Sequence, residues 1–149
     1  MPTQLTENDV RDSLSAHVAA KGGELRAKYG PHLTWEELLR ILEDRSCVRY
    51  PCEVVFDAGP LLAGECAHPV AQGDRPEEGF TMYVHPRFMT QLRQVVSLVL
   101  YQLVVVNYGE FASAEDAEIF GSNALGISKD EYYAKLCELA DKLGGCGSV

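Results

Sequence analysis

Basic residues are scarce in this chain, and nowhere are they gathered. Thirteen Lys and Arg stand against 22 Asp and Glu in 149 residues, for a net charge of −9, and they form neither a run nor a stripe. Phosphate contacts through Lys and Arg supply most of the affinity of nucleic-acid complexes, so no nucleic-acid partner is expected. The opening MPTQLTENDVRDS lacks the basic and apolar regions of a secretory leader, which makes the cytoplasm the expected compartment. The longest apolar run, residues 95–106, is broken only by Ser97 and Gln102 and falls short of the roughly 20 residues that span a bilayer; no membrane association is expected. Cysteine is present in a pattern that argues against a disulfide framework. Cys47, Cys52, Cys66, Cys137 and Cys146 are odd in number and irregular in spacing, as free thiols are. There is no internal repeat and no low-complexity tract.

What the chain does have is 46% hydrophobic residues, enough at this length to bury a core in one domain. Four capping-box patterns mark helix starts: Thr6 with Asp9, Thr34 with Glu37, Ser113 with Asp116 and Ser128 with Glu131. The first helix carries Val10, Leu14, His17 and Val18 on one stripe and meets Gly22 and Gly23, after which residues 24–29 form a further turn. The second carries Trp35, Leu38, Leu39 and Leu42 and ends near Arg45. Residues 48–56 and 80–84 read as strands, with Pro51 confining the first to a later start or an edge. An irregular third strand lies near residues 66–71, before a solvated loop at 73–79. Residues 91–108 are too long for a strand and read as a buried helix closed by Gly109. Helices over 113–125 and 129–143 follow, closed by Gly126 and Gly144, the first with Ala117, Phe120, Gly121 and Ala124 inward. The expected fold is α+β in a single domain over 1–149. It has a helical part (1–45), a small, mostly antiparallel sheet of about three strands (46–86), a helical part (87–144) around the central helix, and a flexible tail (145–149).

Three segments in succession carry a family likeness: FTMYVHP, then LVLYQLVVVNYG, then SAEDAEIFGSNALG. Their order resembles the compact zincin-like metallopeptidases found in phage-repressor antagonists and radiation-response regulators. There a strand leads into a helix bearing H-E-x-x-H, and a second helix reads E-x-x-A-N-x-F-A with a Leu-rich end. Ala117, Glu118, Phe120, Gly121 and Leu125 stand in that second pattern, whereas the H-E-x-x-H positions read Tyr101, Gln102 and Val105. The resemblance implies Glu115 or Glu118 as a remaining third ligand. Zinc catalysis needs two imidazoles one turn apart and a carboxylate base, and the Gln102 amide cannot titrate in the working range. The resemblance therefore implies a non-catalytic relative, with Tyr101, Gln102, Glu115 and Glu118 as its degenerate-site positions and no cofactor. The other reading of Tyr101 and Gln102 is that they bond within a packed core or at its rim.

Other groupings are weaker carriers of chemistry. Cys47, Cys52, Cys66 and His68 offer three thiols and an imidazole, but C-x4-C with C-x-H is no standard zinc spacing. His68 and His85 each precede a proline and could meet across neighbouring strands as an acid/base pair. Glu110, Glu115, Asp116 and Glu118 surround a helix start, where the dipole favours negative charge. Tyr132, Tyr133 and Leu136 read as packing residues. Leu61, Leu62 and Val70 are apolar among turn residues, which often marks a contact surface. The leading expectation is an intracellular domain that binds a protein partner or forms a homo-oligomer, its interior filled by Val104, Val105 and Phe120. The rivals are a hydrolase, metal-dependent through Cys66, His68, His85 and an acid near Glu115 or metal-free through the two histidines, and a small-molecule sensor with an apolar pocket beneath Tyr101.

Overall fold

Helix α3 (Leu92–Tyr108) is the centre of the core, packed against the helices Trp35–Glu43, Ala114–Leu125 and Lys129–Asp141 and against the sheet. Val95, Val99, Leu100 and Leu103 are wholly enclosed, as a helix apolar on all sides must be. The computed structural model describes residues 6–143, so the expectations for the 145–149 tail, Gly144 and Cys146 lie outside it. With the 3₁₀ turn that follows, Leu92–Phe111 runs 20 residues and passes the length and composition test for a membrane span. Here that helix is the core of the fold, with ten of its residues buried.

Two helices precede it, α1 (Glu7–Tyr29) and α2 (Trp35–Glu43), and two follow, α4 (Ala114–Leu125) and α5 (Lys129–Asp141). Helix α1 runs unbroken through Gly22 and Gly23, where the sequence had suggested an interruption. A Cβ on Gly22 would lie 2.6 Å from the Phe120 carbonyl oxygen and 2.9 Å from the Asn123 Cβ. The glycine is thus the point where the α1 and α4 backbones touch, which offsets its cost of about 1 kcal/mol in a helix. Nearby, the Ser15 hydroxyl donates to the buried Asp116 carboxylate at 2.9 Å.

Capping follows the sequence in part. Thr6 and Ser113 form reciprocal boxes with Asp9 and Asp116, and Ser128 accepts from the Glu131 amide at 3.0 Å. Thr34 instead donates its hydroxyl to the Glu37 carboxylate and leaves the first turn of α2 without a side-chain cap. Beyond α2, Asp44 accepts from the Tyr29 hydroxyl at 2.6 Å, from Lys28, and from the Ser46 amide and hydroxyl. These donors, Lys28 first, hold its carboxyl well below the usual carboxylate range.

Strands β1 (Cys52–Phe56), β2 (Ala67–Ala71) and β3 (Phe80–Val84) form one sheet in the order β1-β3-β2. The α+β class, the single domain and the three strands are as expected. The pairing is mixed instead of mostly antiparallel: β2 with β3 is antiparallel and β1 with β3 is parallel. Residues 57–66 carry the chain from β1 to the far edge, and the tight return at 72–79 then inserts β3 between the two. β1 begins just after Pro51, and Pro69 sits on the edge strand β2, where a missing N–H costs no ladder bond. Met82, Val84 and Ala67 are buried, while Glu53, Val55, His68 and Val70 stand exposed on the alternate positions.

Candidate functional site

Helical spacing on α3 puts Leu98, Tyr101 and Gln102 on one side of the axis. Opposite them α5 presents Tyr133, Leu136, Cys137 and Ala140, again at intervals of three and four. Glu118 of α4 and residues 62–67 complete the walls of an open cleft of about 340 Å³.

Tyr132 sets the position of α5. Its side chain is fully buried and lies against Gly121, where a Cβ would come within 2.3 Å of the ring. Its hydroxyl donates to the Ser97 carbonyl at 2.7 Å. Tyr132 is the packing residue the sequence suggested; Tyr133 and Leu136 turn instead to the cleft, Tyr133 half exposed. On the other wall the Leu62 amide donates to Glu65 at 3.0 Å, and Glu65 pairs with His68 at 3.4 Å. This closes the loop with Leu62 outermost, 76% exposed.

No Lys or Arg lines the cleft, and Glu118 has no cation within 4 Å among the described residues. Burial, and after it the charges of Glu118 and Tyr133, raises the Tyr101 phenol above its ordinary pKa. Burial, with Glu65 adding to it, pushes the Cys66 thiol up to about 11. At pH 7 only roughly one Cys66 in 10⁴ is then a thiolate, too few for a nucleophile. Phenol, amide and carboxylate around apolar walls can hold a ligand through hydrogen bonds.

Tyr101, Gln102 and Glu118 therefore come together, on two helices, around one opening. Glu115 does not join them: it is 67% exposed and pairs with Lys129 at 3.6 Å. Val105 lies one turn further along α3, half-buried, while Val104 and Phe120 are in the core.

Cys47, Cys52, Cys66 and His68 are not assembled, and no group of three metal-ligating side chains exists among the described residues. Cys52 opens β1 and Cys66 precedes β2 at the opposite corner of the sheet, on the order of 15 Å or more away. Nor do His68 and His85 pair. His85 accepts the Arg87 amide at Nδ1, 3.1 Å, and caps a 3₁₀ turn, while His68 is occupied with Glu65. A strand-end histidine before proline caps more readily than it catalyses, because its ring lies within reach of the next free N–H.

Sequence reasoning missed Glu65, Cys137 and Ala140 as cleft residues. The three- and four-residue spacing of Tyr133, Leu136, Cys137 and Ala140 was the available signal. Comparison with protein-family models, with curated proteins and with solved structures finds no match to the chain.

Proposed function

We propose that this protein is a non-catalytic binding module that seats an apolar side chain of a protein partner in the cleft at Tyr101, with a neighbouring basic group of the partner on Glu118. The observation that carries this reading is the convergence of Tyr101, Gln102 and Glu118 on an open cleft with Leu62 exposed at its rim. Its volume is at the small end of ligand sites, the size of an anchor pocket in a larger interface. The absence of a lining cation favours a basic neighbour over an acidic one. Descent from a zincin-like ancestor is a separate proposal; of the positions that would have held metal, Tyr101 and Glu118 face the cleft, whereas Val105 does not.

Panning a random peptide library against the protein tests the binding reading. Enriched peptides should join an apolar residue to Lys or Arg, and Leu62→Asp or Glu118→Gln should weaken them at least ten-fold. Peptides indifferent to both substitutions, or about one zinc per chain by elemental mass spectrometry, would overturn it. Descent has its own test. The Tyr101→His, Gln102→Glu, Val105→His variant should gain zinc affinity, and failure to do so removes the ancestry without touching the binding reading.

A further inference from the structure

Arg93 and Lys135, two of the chain's few cations, come together in one cleft. This second cleft, of about 630 Å³, is bounded by residues 31–35, the start of α3, the end of α4 and the middle of α5. His32, Arg93 and Lys135 line it, and no Asp or Glu does. Neither Arg93 nor Lys135 has a carboxylate within 4 Å among the described residues. Helices α2 and α3 both begin here, at Trp35 and Leu92, and they are the two of the five whose first turns receive no side-chain cap. Uncapped N–H groups and the helix dipoles add partial positive charge to that of the side chains. Apart from Thr34 and Ser97 the remaining walls are apolar, chiefly Leu33, Leu92, Leu125, Ile127 and the ring of Trp35, which is braced against Phe56 at 6.2 Å between centroids.

We propose that this cleft binds a small organic anion, a carboxylate or phosphate head on an apolar or aromatic body. Arg93 offers a planar fork to the head and Lys135 a movable point charge from the facing helix. Trp35, Leu92 and Leu125 take the body, in a space well within the range of small-molecule sites. The chain's net charge of −9 repels an extended polyanion but does not prevent a single head group from reaching two local cations. Cleft walls with three basic residues and no acid, in a protein where acids outnumber bases, are the observation on which this stands.

The test is a titration of the full ¹⁵N-labelled chain with 1-naphthoate, 1-naphthyl phosphate and 1-naphthylmethylamine, which share a ring and differ in charge. One or both anions should shift the amide signals of Trp35, Arg93, Ser97 and Lys135, and the tighter of the two names the head group. Binding should weaken at least ten-fold in the Arg93→Gln, Lys135→Gln double variant and stay unchanged in Glu118→Gln, which keeps this result separate from the cleft at Tyr101. The unaltered chain should also lose affinity as salt rises, a readout that needs no variant. Equal binding of the amine at these residues, unchanged binding by the double variant, or no shift at millimolar anion would overturn the proposal.

Discussion

Two adjacent residues of one helix, Ser97 and Leu98, open onto clefts of opposite character. The Leu98 side is lined by Glu65 and Glu118 without a Lys or Arg; the Ser97 side is lined by Arg93, His32 and Lys135 without an acid. Helix α5 repeats the division, with Tyr133, Leu136 and Cys137 on one side and Lys135 on the other. Tyr132 stands between the two as a buried pillar, bonded to the Ser97 carbonyl and seated on Gly121. The lesson is that overall charge describes neither cleft. A chain of net −9 supports one local field of each sign because a pair of helices, pinned by one side chain, turns different residues toward different openings.

Removing the pillar should erase the comparison altogether. Tyr132→Ala deletes a fully buried ring and should cost about 3–5 kcal/mol, read as a lower urea midpoint, with ligand response lost at both clefts. Tyr132→Phe keeps the ring, removes the phenol's hydrogen bond to the Ser97 carbonyl, and should cost about 1 kcal/mol. Gly121→Ala approaches the same contact from the other helix. Its methyl would meet a ring that has no room to withdraw, for a loss of about 1–3 kcal/mol. If Gly121→Ala proves neutral, Tyr132 is not the rigid divider between the two sites.

Charge exchange sharpens the comparison without disturbing the core. Glu118→Lys should abolish preference for basic peptides at the Tyr101 cleft and leave anion binding beside Trp35 intact; Arg93→Glu should do the reverse. Each change is expected to be at least ten-fold in affinity and to shrink with salt, as exposed charges do. Cross-effects of the same size would mean a single long-range field in place of two local ones.

How much of this was legible depended on how far apart in sequence the partners lie. Helix starts and strands are local, and the Ser113 and Thr6 boxes formed as written. Tyr101 and Gln102 were visible as neighbours on one helix, and Glu118 through its place on the next. The insertion of β3 between β1 and β2 was not legible, because strand order is decided by nonlocal packing and not by any local pattern. Gly22 was misread for a different reason: the residue that interrupts a helix is also the one that lets two helices touch, and only the neighbour tells which. The basic cleft left no trace in sequence at all. Its cations sit at positions 93 and 135, with His32 beside them, and no motif joins them.

Acid should separate the clefts in turn. Asp44 ties the end of α1 to the segment after α2, and residues 31–35 between those helices wall only the basic cleft. Its carboxyl is held below the usual range by Lys28 first, then Ser46 and Tyr29. A folded-state pKa lowered in this way gives stability that is full above the unfolded value near about 4 and is lost as pH falls through the folded one. The chain's one tryptophan, Trp35, lies in that wall. Trp35 fluorescence should therefore respond to acid below about pH 4 before the signals of Tyr101 and Leu136 do, and Asp44→Asn should remove that early step. Simultaneous loss at both clefts would show that the α1–α2 tie has no local role.

The last test is chemical and belongs to the acidic cleft alone. Cys66 lines it with its thiol pushed up to about 11, burial being the main cause and Glu65 the second. Alkylation by iodoacetamide runs through the thiolate, so at pH 8 Cys66 should react roughly a hundred-fold more slowly than an unperturbed cysteine of pKa near 8.5 to 9. Glu65→Gln removes only the secondary cause and should quicken the reaction by less than about ten-fold. A peptide seated in the cleft should slow it further, whereas 1-naphthoate should not, because its site lies on the other side of Tyr132. Protection by the naphthoate would mean that the two openings communicate, and that the pillar between them gives way.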